Sequence, residues 1–244
     1  MKIKFYSPSY KRANKVQVSR WLKSVVLAVH ELEAGEYRKN QAKELLIIPD
    51  DLRGNMAKVR NFILETAFSK DKADICVMLD DDVKYVGYIE FKNAIKVSEK
   101  MLREKIEEWG QVARELDTVL FGANLQVDPK FYREYSPISF LTPVLGPFCC
   151  ILKTDLRYDE RLSLNEDYDF ALQVLYKHRK ILRWNKWHYY ADHLITKGGC
   201  SAYRTLTVEK EQAGIMVKKW GSRIVKYNFM KSTNPRINCP LSGI

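Results

Sequence analysis

The stretch ADICVMLDDDVKYVG, residues 73–87, follows an apolar run with three consecutive aspartates, Asp80, Asp81 and Asp82. The apolar run is typical of a buried strand, and three like charges at its end repel one another unless a cation lies between them. Side chains alternate along a strand, so we expect Asp80 and Asp82 to face the same way. Two such carboxylates suit Mn²⁺ or Mg²⁺, with a diphosphate completing the coordination shell. The alternative is an ordinary solvated loop.

Short apolar runs alternate with helical patterns along the rest of the chain. Strands are predicted at residues 2–8, 44–51, 75–79, 118–125 and 146–153, and helices at residues 16–32, 56–68, 102–116, 167–177 and 208–221. This alternation predicts an α/β fold with a mainly parallel sheet flanked by helices, in which ligands bind at the carboxyl ends of the strands. The segments SPSYKR, PDDLRG and LDDD are then expected at one edge of the sheet. The Pro-, Asn- and Ser-rich tail is expected to wrap the surface or to form a flap.

The composition is that of a globular protein. A chain of 244 residues with 46% hydrophobic content is long enough for one α/β domain with a real core. No apolar stretch approaches the roughly 18–20 residues that a membrane-spanning helix needs, and the first residues do not resemble a signal peptide. Five cysteines without a C-x-x-C motif argue against a disulfide framework and against a zinc site. We therefore expect reduced thiols in the cytoplasm. A monomer is also expected.

The net charge of +11 is concentrated in the last quarter of the chain. Residues 1–176 carry 27 Lys/Arg and 27 Asp/Glu, whereas residues 177–244 carry 14 Lys/Arg and three acids. A solvated basic face is one interpretation, and contact with a polyanion such as DNA is the other, because interleaved aromatic rings could stack on bases. The sequence favours a core at residues 1–203 and a basic helical extension, residues 204–244, that packs on it. The candidate DNA-binding residues are Lys197, Arg204, Lys218, Lys219 and Arg223.

Five segments in this order resemble a known family of enzymes. They are SPSYKRA (residues 7–13), PDDLRGNMAKVRN (49–61), VMLDDDV (77–83), LSLNEDYDFALQVL (162–175) and HYYADHLITKGGCS (188–201). Together they resemble the nucleotide-sugar glycosyltransferases of the GT-A fold, and within these the phage group called TET-associated glycosyltransferases. That group is thought to place sugars on 5-hydroxymethylpyrimidines in DNA. The resemblance covers roughly residues 1–203.

The resemblance implies a role for individual residues. The nucleotide-sugar donor would be bound by Ser7, Pro8, Tyr10, Lys11, Arg12, Asp51, Arg60, Asn61, Asp80, Asp81 and the turn Gly198-Gly199. Asp80 and Asp82 would bind the metal, with His193, or else His188, as a late ligand. In NEDYD, Asp167 would be the general base on the acceptor hydroxyl, with Glu166 and Asp169 orienting it or capping the helix. A plain helix N-terminus capped by Asn165 is the simpler interpretation, and nearby Asp155 or Asp159 could be the base instead.

Other classes of function compete with this one. A glycosyltransferase of the same fold could act on a polysaccharide, lipid or protein, and a nucleotidyltransferase would also use a metal and paired aspartates. A nucleic-acid binding module with a structural acidic loop is the non-enzymatic alternative. The sequence favours a Mn²⁺-dependent hexosyltransferase that moves a sugar from a UDP-sugar, with UDP-glucose expected, to a hydroxymethylated pyrimidine in DNA. Inversion at the sugar is a hypothesis that depends on Asp167.

Overall fold

A computed structural model of the chain describes residues 1–40, 44–125, 128–191 and 204–239. The elements of the first half are β1 (Ile3–Pro8), α1 (Val18–Trp21), β2 (Val25–His30), α2 (Ala34–Lys39), β3 (Leu45–Ile48), α3 (Met56–Glu65), β4 (Ile75–Leu79), β5 (Val83–Glu90) and β6 (Asn93–Lys96). Those of the second half are α4 (Glu99–Glu115), β7 (Leu120–Asn124), β8 (Ile138–Ser139), β9 (Phe148–Leu152), α5 (Glu166–His178), β10 (Leu182–Ala191), α6 (Leu206–Trp220), β11 (Val225–Asn228) and β12 (Ser232–Ile237). Single helical turns cover Glu31–Glu33, Asp50–Leu52, Thr66–Lys70 and Pro129–Phe131.

One twisted sheet runs through the protein in the order β3-β2-β1-β4-β9-β7-β10-β5-β6, with β8 beside β10. The strands from β3 to β4 are parallel, as predicted. Beyond β4 the sheet is mixed, because β9 runs antiparallel to both β4 and β7, and β5 and β6 form a hairpin whose first strand pairs antiparallel with β10. The α/β class is therefore confirmed, and β7 and β10 form a further parallel pair within the mixed part of the sheet.

Two apolar clusters cover the two faces of this sheet. Alternate side chains of a buried strand enter different clusters, as Phe5 and Tyr6 of β1 show. The first cluster includes Trp109 of α4, whose ring lies 5.6 Å from the ring of Trp184 and 5.1 Å from that of Trp187, both on β10. The second cluster contains apolar residues from α3, α5 and α6. Helices therefore pack on both faces of the sheet, as the strand–helix alternation predicted.

The helix predicted at residues 16–32 is wrong. The structure has only the short α1 there, followed by β2, whose six residues are all buried. The run Val25-Val26-Leu27-Ala28-Val29 is buried on both faces, and such a strand has no polar alternation that would reveal a period of two. Its valines happened to fall at helical spacing with Val18 and Trp21. The strands β5, β6, β8 and β10 and the hairpin β11–β12 were not predicted either.

Four of the five cysteines lie in the part of the chain that the structure describes. Cys76, Cys149 and Cys150 are buried without a disulfide, and burial raises the pKa of the Cys149 thiol to about 11. Cys239 is half-buried and also free. No helix in the part of the chain that the structure describes has the length and apolarity needed to cross a membrane.

The C-terminal helix α6 is joined to the core by a buried carboxylate. Asp169 of α5 is fully buried and accepts hydrogen bonds from Trp220 Nε1 at 2.7 Å and from Gln173 Nε2 at 2.8 Å. Lys219 Nζ lies 2.8 Å from Asp169 Oδ1 and 2.8 Å from Asp159 Oδ2. Met216 and Val225 complete the attachment by entering the second apolar cluster. Asp169 thus connects two helices, and residues 204–239 pack directly on the core.

We expect Asp169→Asn to lower the free energy of unfolding by about 1–3 kcal/mol, because the Trp220 and Gln173 donors lose a charged acceptor, whereas Lys219 keeps its ion pair with Asp159. The side-chain NH₂ group of the variant would also face the donors of Gln173 and Lys219, so their hydrogen bonds to this position would be lost. Urea denaturation followed by circular dichroism measures the change. Asp155→Asn is the control, because the Asp155 side chain is 81% exposed and its ion pair with Lys177 lies on the surface. Equal unfolding midpoints for the two variants would contradict this role of Asp169.

Candidate active site

A cavity of about 710 Å³ opens at the carboxyl ends of β1 and β4. Its wall is built by the loop after β1, the first turns of α3, the aspartates after β4 and the first turn of α5. The hairpin β11–β12 adds Ser232, Thr233 and Asn234, and the start of α6 adds Thr205 and Glu209. The segments that were predicted to meet at one edge of the sheet do meet there. The tail does not lie on an unrelated surface, because its hairpin forms part of the cavity wall.

Arg12 holds two of the three aspartates. Its Nη1 lies 2.7 Å from Asp81 Oδ1 and 3.4 Å from Asp82 Oδ2. Ser9 Oγ donates a hydrogen bond to Asp81 Oδ2 and shares another, 2.7 Å long, with the hydroxyl of Tyr37. Asp82 Oδ1 is buried and has no hydrogen-bond partner in the structure. The described part of the chain therefore leaves one carboxylate oxygen of this group without a donor.

The strand alternation from which Asp80 and Asp82 were predicted to face the same way does not extend to these residues. The strand β4 ends at Leu79, and the chain turns at once, with the Val83 amide donating to the Asp80 carbonyl at 3.2 Å. Because strand alternation stops at this turn, Asp81 and Asp82 share Arg12, whereas Asp80 lies 3.5 Å from Arg60 Nη2.

Arg60 connects three elements beneath the cavity. It is buried on α3, where its Nε donates to Glu166 Oε1 at 3.1 Å and its Nη1 donates to the Gly146 carbonyl at 3.4 Å. Gly146 is required by this contact, since a Cβ atom there would lie 2.3 Å from Arg60 Nη2. The guanidinium therefore fixes Asp80 after β4, Glu166 at the start of α5 and the loop before β9 relative to one another.

The wall carries an excess of negative charge. Six carboxylates and three guanidiniums line it, which leaves three negative charges uncompensated when all are ionised. The pKa of Asp80 is raised to about 7, chiefly by burial and also by the charges of the nearby Asp81, Asp82 and Asp167, against the opposing effect of Arg60. Burial also raises the pKa of Glu166, with the charge of Asp167 adding to it. A cation in the cavity would be favoured electrostatically.

Asp167 is the acid of the NEDYD segment that is accessible from the cavity. Its carboxylate is half-buried and accepts the Tyr168 amide at Oδ1 (2.8 Å) and the Gly146 amide at Oδ2 (3.1 Å). Glu166 is buried and accepts a hydrogen bond from Arg60, so the Arg60 guanidinium fixes the orientation of its carboxylate. Asn165 makes no side-chain cap, contrary to the simple helix-start interpretation. A carboxylate held by two backbone amides keeps lone pairs for a proton, which a general base needs.

Six of the ten predicted donor-binding residues that the structure describes lie in the wall. Pro8, Tyr10, Arg12, Arg60, Asp80 and Asp81 line the cavity, as do the predicted metal ligand Asp82 and the predicted catalytic pair Glu166 and Asp167. Asp155 and Asp159, the alternative bases, do not line it. They pair with Lys177 and with Arg161 and Lys219, respectively.

Four predicted donor-binding residues are placed elsewhere. Ser7 is fully buried within β1, and Asp51 is exposed in the turn after β3. Lys11 has a positive φ of 55°, and its amide donates to Glu33 while its ammonium lies 5.0 Å from the Tyr10 ring. Asn61 fixes the loop before α5, because its side chain donates to the Tyr158 carbonyl at 3.0 Å and accepts the Tyr158 amide at 2.8 Å.

The predicted DNA-binding and late metal residues have different positions. Lys197, His193, Gly198 and Gly199 lie outside the described residues. Arg204 lines the cavity and donates to Glu209, Lys219 is paired with Asp159 and Asp169, and Lys218 and Arg223 are exposed. His188 is fully buried on β10, away from the wall, and burial lowers its pKa to about 4.

Sequence reasoning missed several residues of the wall. They are Ser9, His30, Asn55, Tyr189, Glu209 and the hairpin residues Ser232, Thr233 and Asn234. Gly146, which lies against Arg60 beside the wall, was missed as well. Ser9 lies inside the segment SPSYKR and could have been found by its polarity. The others come from strands that were not predicted or from positions that look ordinary in sequence. At the parallel edge, the Tyr10 and His30 rings are perpendicular with centroids 5.6 Å apart, which gives that end an aromatic character.

We expect Gly146→Ala to destabilise the protein by about 1–3 kcal/mol, because the added methyl group displaces the buried Arg60 guanidinium. Gly214→Ala is the matched control. A Cβ at Gly214 of α6 meets no atom within 4 Å, so alanine there is expected to stabilise the helix by up to about 1 kcal/mol. Chemical denaturation of both variants measures the difference, and a neutral Gly146→Ala would show that Arg60 is not held by this contact.

Comparisons with known proteins identify the family. The model of the TET-Associated Glycosyltransferase family matches residues 3–200. No curated protein sequence matches the chain. Among solved structures, S. aureus TarS 1–349 in complex with UDP is 14% identical, with 91% of this chain and 73% of that chain covered and a TM-score of 0.47. A197 from STIV is also 14% identical, with 78% and 85% covered and a TM-score of 0.44. These structural similarities are too low to bear on function, whereas the family match spans most of the chain. The protein belongs to the TET-Associated Glycosyltransferase family and is a nucleotide-sugar glycosyltransferase.

Proposed function

We propose that the protein transfers a hexose, with glucose expected, from a UDP-sugar to the hydroxymethyl group of a modified pyrimidine in DNA. The observation that carries this proposal is the cavity wall, where an acidic group beside β4 faces an accessible carboxylate, Asp167, at the start of α5. The first suits a metal diphosphate and the second an acceptor hydroxyl. A cavity of about 710 Å³ is within the usual range for a small-molecule site.

The donor would lie along the carboxyl ends of the parallel strands. Pro8, Tyr10, His30 and Ile48 form the less polar end of the wall, which suits the nucleobase. The diphosphate would then lie toward Arg12 and the three aspartates. This orientation leaves the sugar near Arg60 and Asp167, the part of the wall where a carboxylate can meet the acceptor.

A divalent cation fits the aspartates. Within the described ranges no three His, Cys, Asp or Glu side chains form a metal site by themselves. Asp82 has a buried oxygen without a hydrogen-bond partner, and Asp80 is 31% exposed toward the cavity beside it. These two carboxylates would hold Mn²⁺ or Mg²⁺ with donor phosphate oxygens completing the shell, and His193 remains a candidate ligand outside the described residues. The bound ion would supply charge stabilisation for the leaving diphosphate.

The protein's own side chains would perform the remaining chemistry. Asp167 accepts the proton of the acceptor hydroxyl as the oxygen attacks the anomeric carbon of the sugar. The bond between that carbon and the phosphate oxygen breaks, and UDP leaves with the electron pair. Arg12 stabilises the developing charge on the diphosphate, and Arg60 keeps Asp80 and Glu166 in position. Attack from the face opposite the leaving group would invert the anomeric carbon.

DNA as the acceptor is supported by the family and by the charge distribution. The last quarter of the chain carries 14 basic residues and three acids. Lys218 and Arg223 are exposed in this quarter and are available for phosphate contacts, whereas Lys219 is used by Asp159 and Asp169. Arg204 lies in the cavity wall, where it is better placed for a group that enters the cavity than for the DNA backbone.

The test of this function is mass spectrometry of nucleosides from hydroxymethylated DNA after incubation with the protein, Mn²⁺ and a pool of UDP-sugars. A hexose-sized mass gain on the hydroxymethyl nucleoside, absent from unmodified DNA, is expected. No gain on DNA together with donor turnover on a polysaccharide or protein acceptor would overturn the choice of acceptor. No donor binding at all would overturn the proposal.

Asp167→Asn is expected to reduce sugar transfer by about 10²–10⁴-fold, because the amide cannot accept the hydroxyl proton. UDP affinity should remain, since the amide oxygen can still accept one backbone amide hydrogen. Single-turnover kinetics measures transfer, and calorimetry measures UDP binding. Asp155→Asn removes an exposed acid outside the cavity and should transfer sugar at the normal rate. Unimpaired transfer by Asp167→Asn would assign the base to another group.

Asp82→Asn is expected to abolish the dependence of UDP affinity on Mn²⁺, because it removes one carboxylate of the proposed metal pair. Titrations of UDP in Mn²⁺ and in EDTA, for the normal protein and the variant, measure the effect. Asp51→Asn is the control, as Asp51 is an exposed acid outside the wall. If metal strengthens UDP binding equally in all three proteins, the metal does not bind at Asp82.

A further inference from the structure

A cluster of aromatic and basic side chains lies on β5, β6 and β10, the three strands at the end of the sheet farthest from β3. Tyr85 of β5 and Tyr190 of β10 stack with ring centroids 5.5 Å apart and an angle of 18° between their planes. Lys96 Nζ lies 4.6 Å from the centre of the Tyr85 ring, and Lys84 Nζ lies 5.7 Å from that of Tyr190. We call Lys84, Tyr85, Lys96 and Tyr190 the tyrosine platform. Its four side chains comprise two rings and two ammonium groups.

An irregularity in the sheet directs these side chains to one face. Tyr85 pairs with Tyr190, but Val83 pairs with Ala191, so that Lys84 is an extra residue between the two pairs. Such a bulge re-aims side chains, and here Lys84 and Tyr85 both approach Tyr190. Without it, alternation along β5 would place Lys84 on the face opposite Tyr85.

The tyrosine platform packs on a buried histidine, His188. The His188 ring is fully buried and packs perpendicular to Tyr85, with 6.1 Å between ring centroids. His188 pairs with Gly87 of β5, where a Cβ atom would lie 3.1 Å from His188 Nε2 and 2.4 Å from the Ile95 carbonyl oxygen. Gly87 thus leaves the space that the imidazole occupies. Tyr190 remains 40% exposed above this support, so its ring is accessible to a ligand.

Two strands of the platform lead to residues of the cavity wall. Tyr85 follows Asp82 by three residues, about 10 Å along the chain, and Tyr190 directly follows Tyr189, whose side chain points to the other face of β10. A nucleic-acid strand with one nucleotide in the cavity would therefore pass around the turn at Asp80, Asp81 and Asp82 to reach the platform.

We propose that the tyrosine platform binds the acceptor strand of nucleic acid beside the modified nucleotide. This inference rests on the proposed function, since a base that enters the cavity must leave its stack and expose the bases next to it. Tyrosine faces replace the lost stacking of those bases, and Lys96, whose ammonium group lies over the Tyr85 ring, moves to a phosphate. A neutral glycan would use the rings but not the ammonium group of Lys96, so the charge favours a single-stranded segment of nucleic acid.

Fluorescence anisotropy with a labelled single-stranded DNA oligonucleotide tests the platform without any sugar donor. The Tyr85→Ala/Tyr190→Ala variant is expected to bind about 10–100-fold more weakly, because each stacked base contributes about a factor of ten or more. Tyr85→Phe/Tyr190→Phe keeps both rings and should bind normally. Tyr85→Leu/Tyr190→Leu keeps the apolar bulk and replaces the alanine variant if the latter unfolds. UDP affinity should be the same in all of them.

The contribution of charge is measured separately. Lys96→Ala should reduce the slope of log affinity against log salt concentration by about 0.7, the value for one phosphate contact on a single strand. Lys100→Ala is the control, because Lys100 is 86% exposed on α4, the helix that packs on the opposite face of β10 through Trp109. An unchanged slope for Lys96→Ala would show that Lys96 makes no contact with a phosphate.

The outcomes separate this inference from the proposed function. Ring-dependent binding of DNA supports the platform even if no sugar is transferred to DNA, in which case the proposed acceptor fails alone. Normal DNA affinity and a normal KM for DNA in the ring-deficient variants overturn the platform while transfer stands. Binding of an oligosaccharide, but not of DNA, through the rings also overturns it.

Discussion

The buried guanidinium of Arg60 is the interaction on which the active-site geometry depends. It lies between Asp80 at the end of β4 and Glu166 at the start of α5, and it contacts the carbonyl of Gly146 before β9. Each of these groups belongs to a different segment of the chain, and the two carboxylates need the counter-charge of Arg60 in this low-dielectric place. Burying one arginine is favourable only because the surrounding carboxylates compensate its desolvation.

Arg12 also compensates carboxylates, at the other side of the cavity, but the compensation there is incomplete. It compensates Asp81 and part of Asp82, yet one Asp82 oxygen stays without a donor. The two arginines together neutralise fewer charges than the wall contains. The protein thus keeps a stable acidic site that is still incomplete, which is the electrostatic condition for binding a cation with its phosphate ligands.

The proposed binding surfaces for the sugar donor and for the acceptor belong to different parts of the sheet. The parallel half, from β3 to β4, ends in loops that converge on the cavity, as parallel strands do. The antiparallel strands β5 and β10 carry the tyrosine platform, where a bulge at Lys84 alters the direction of the side chains. The hairpin β11–β12 closes the remaining side of the cavity with residues far away in sequence. The proposed donor and acceptor surfaces therefore lie on either side of the turn that contains Asp80, Asp81 and Asp82.

The sequence by itself determined the α/β class, the parallel strands β1, β3 and β4, the long amphipathic helices and the family. Local patterns carry this information, because apolar runs, helical spacing and the order of polar segments after strands are properties of neighbouring residues. Only the tertiary structure decided that Arg60 is buried between Asp80 and Glu166, that Asn61 serves a loop, and that Asp81 and Asp82 share Arg12. It also decided that β2 is a strand, since burial on both faces removes the polar alternation from its sequence. These features depend on contacts between residues up to about a hundred positions apart, such as Arg60 and Glu166, and no local pattern records such a contact.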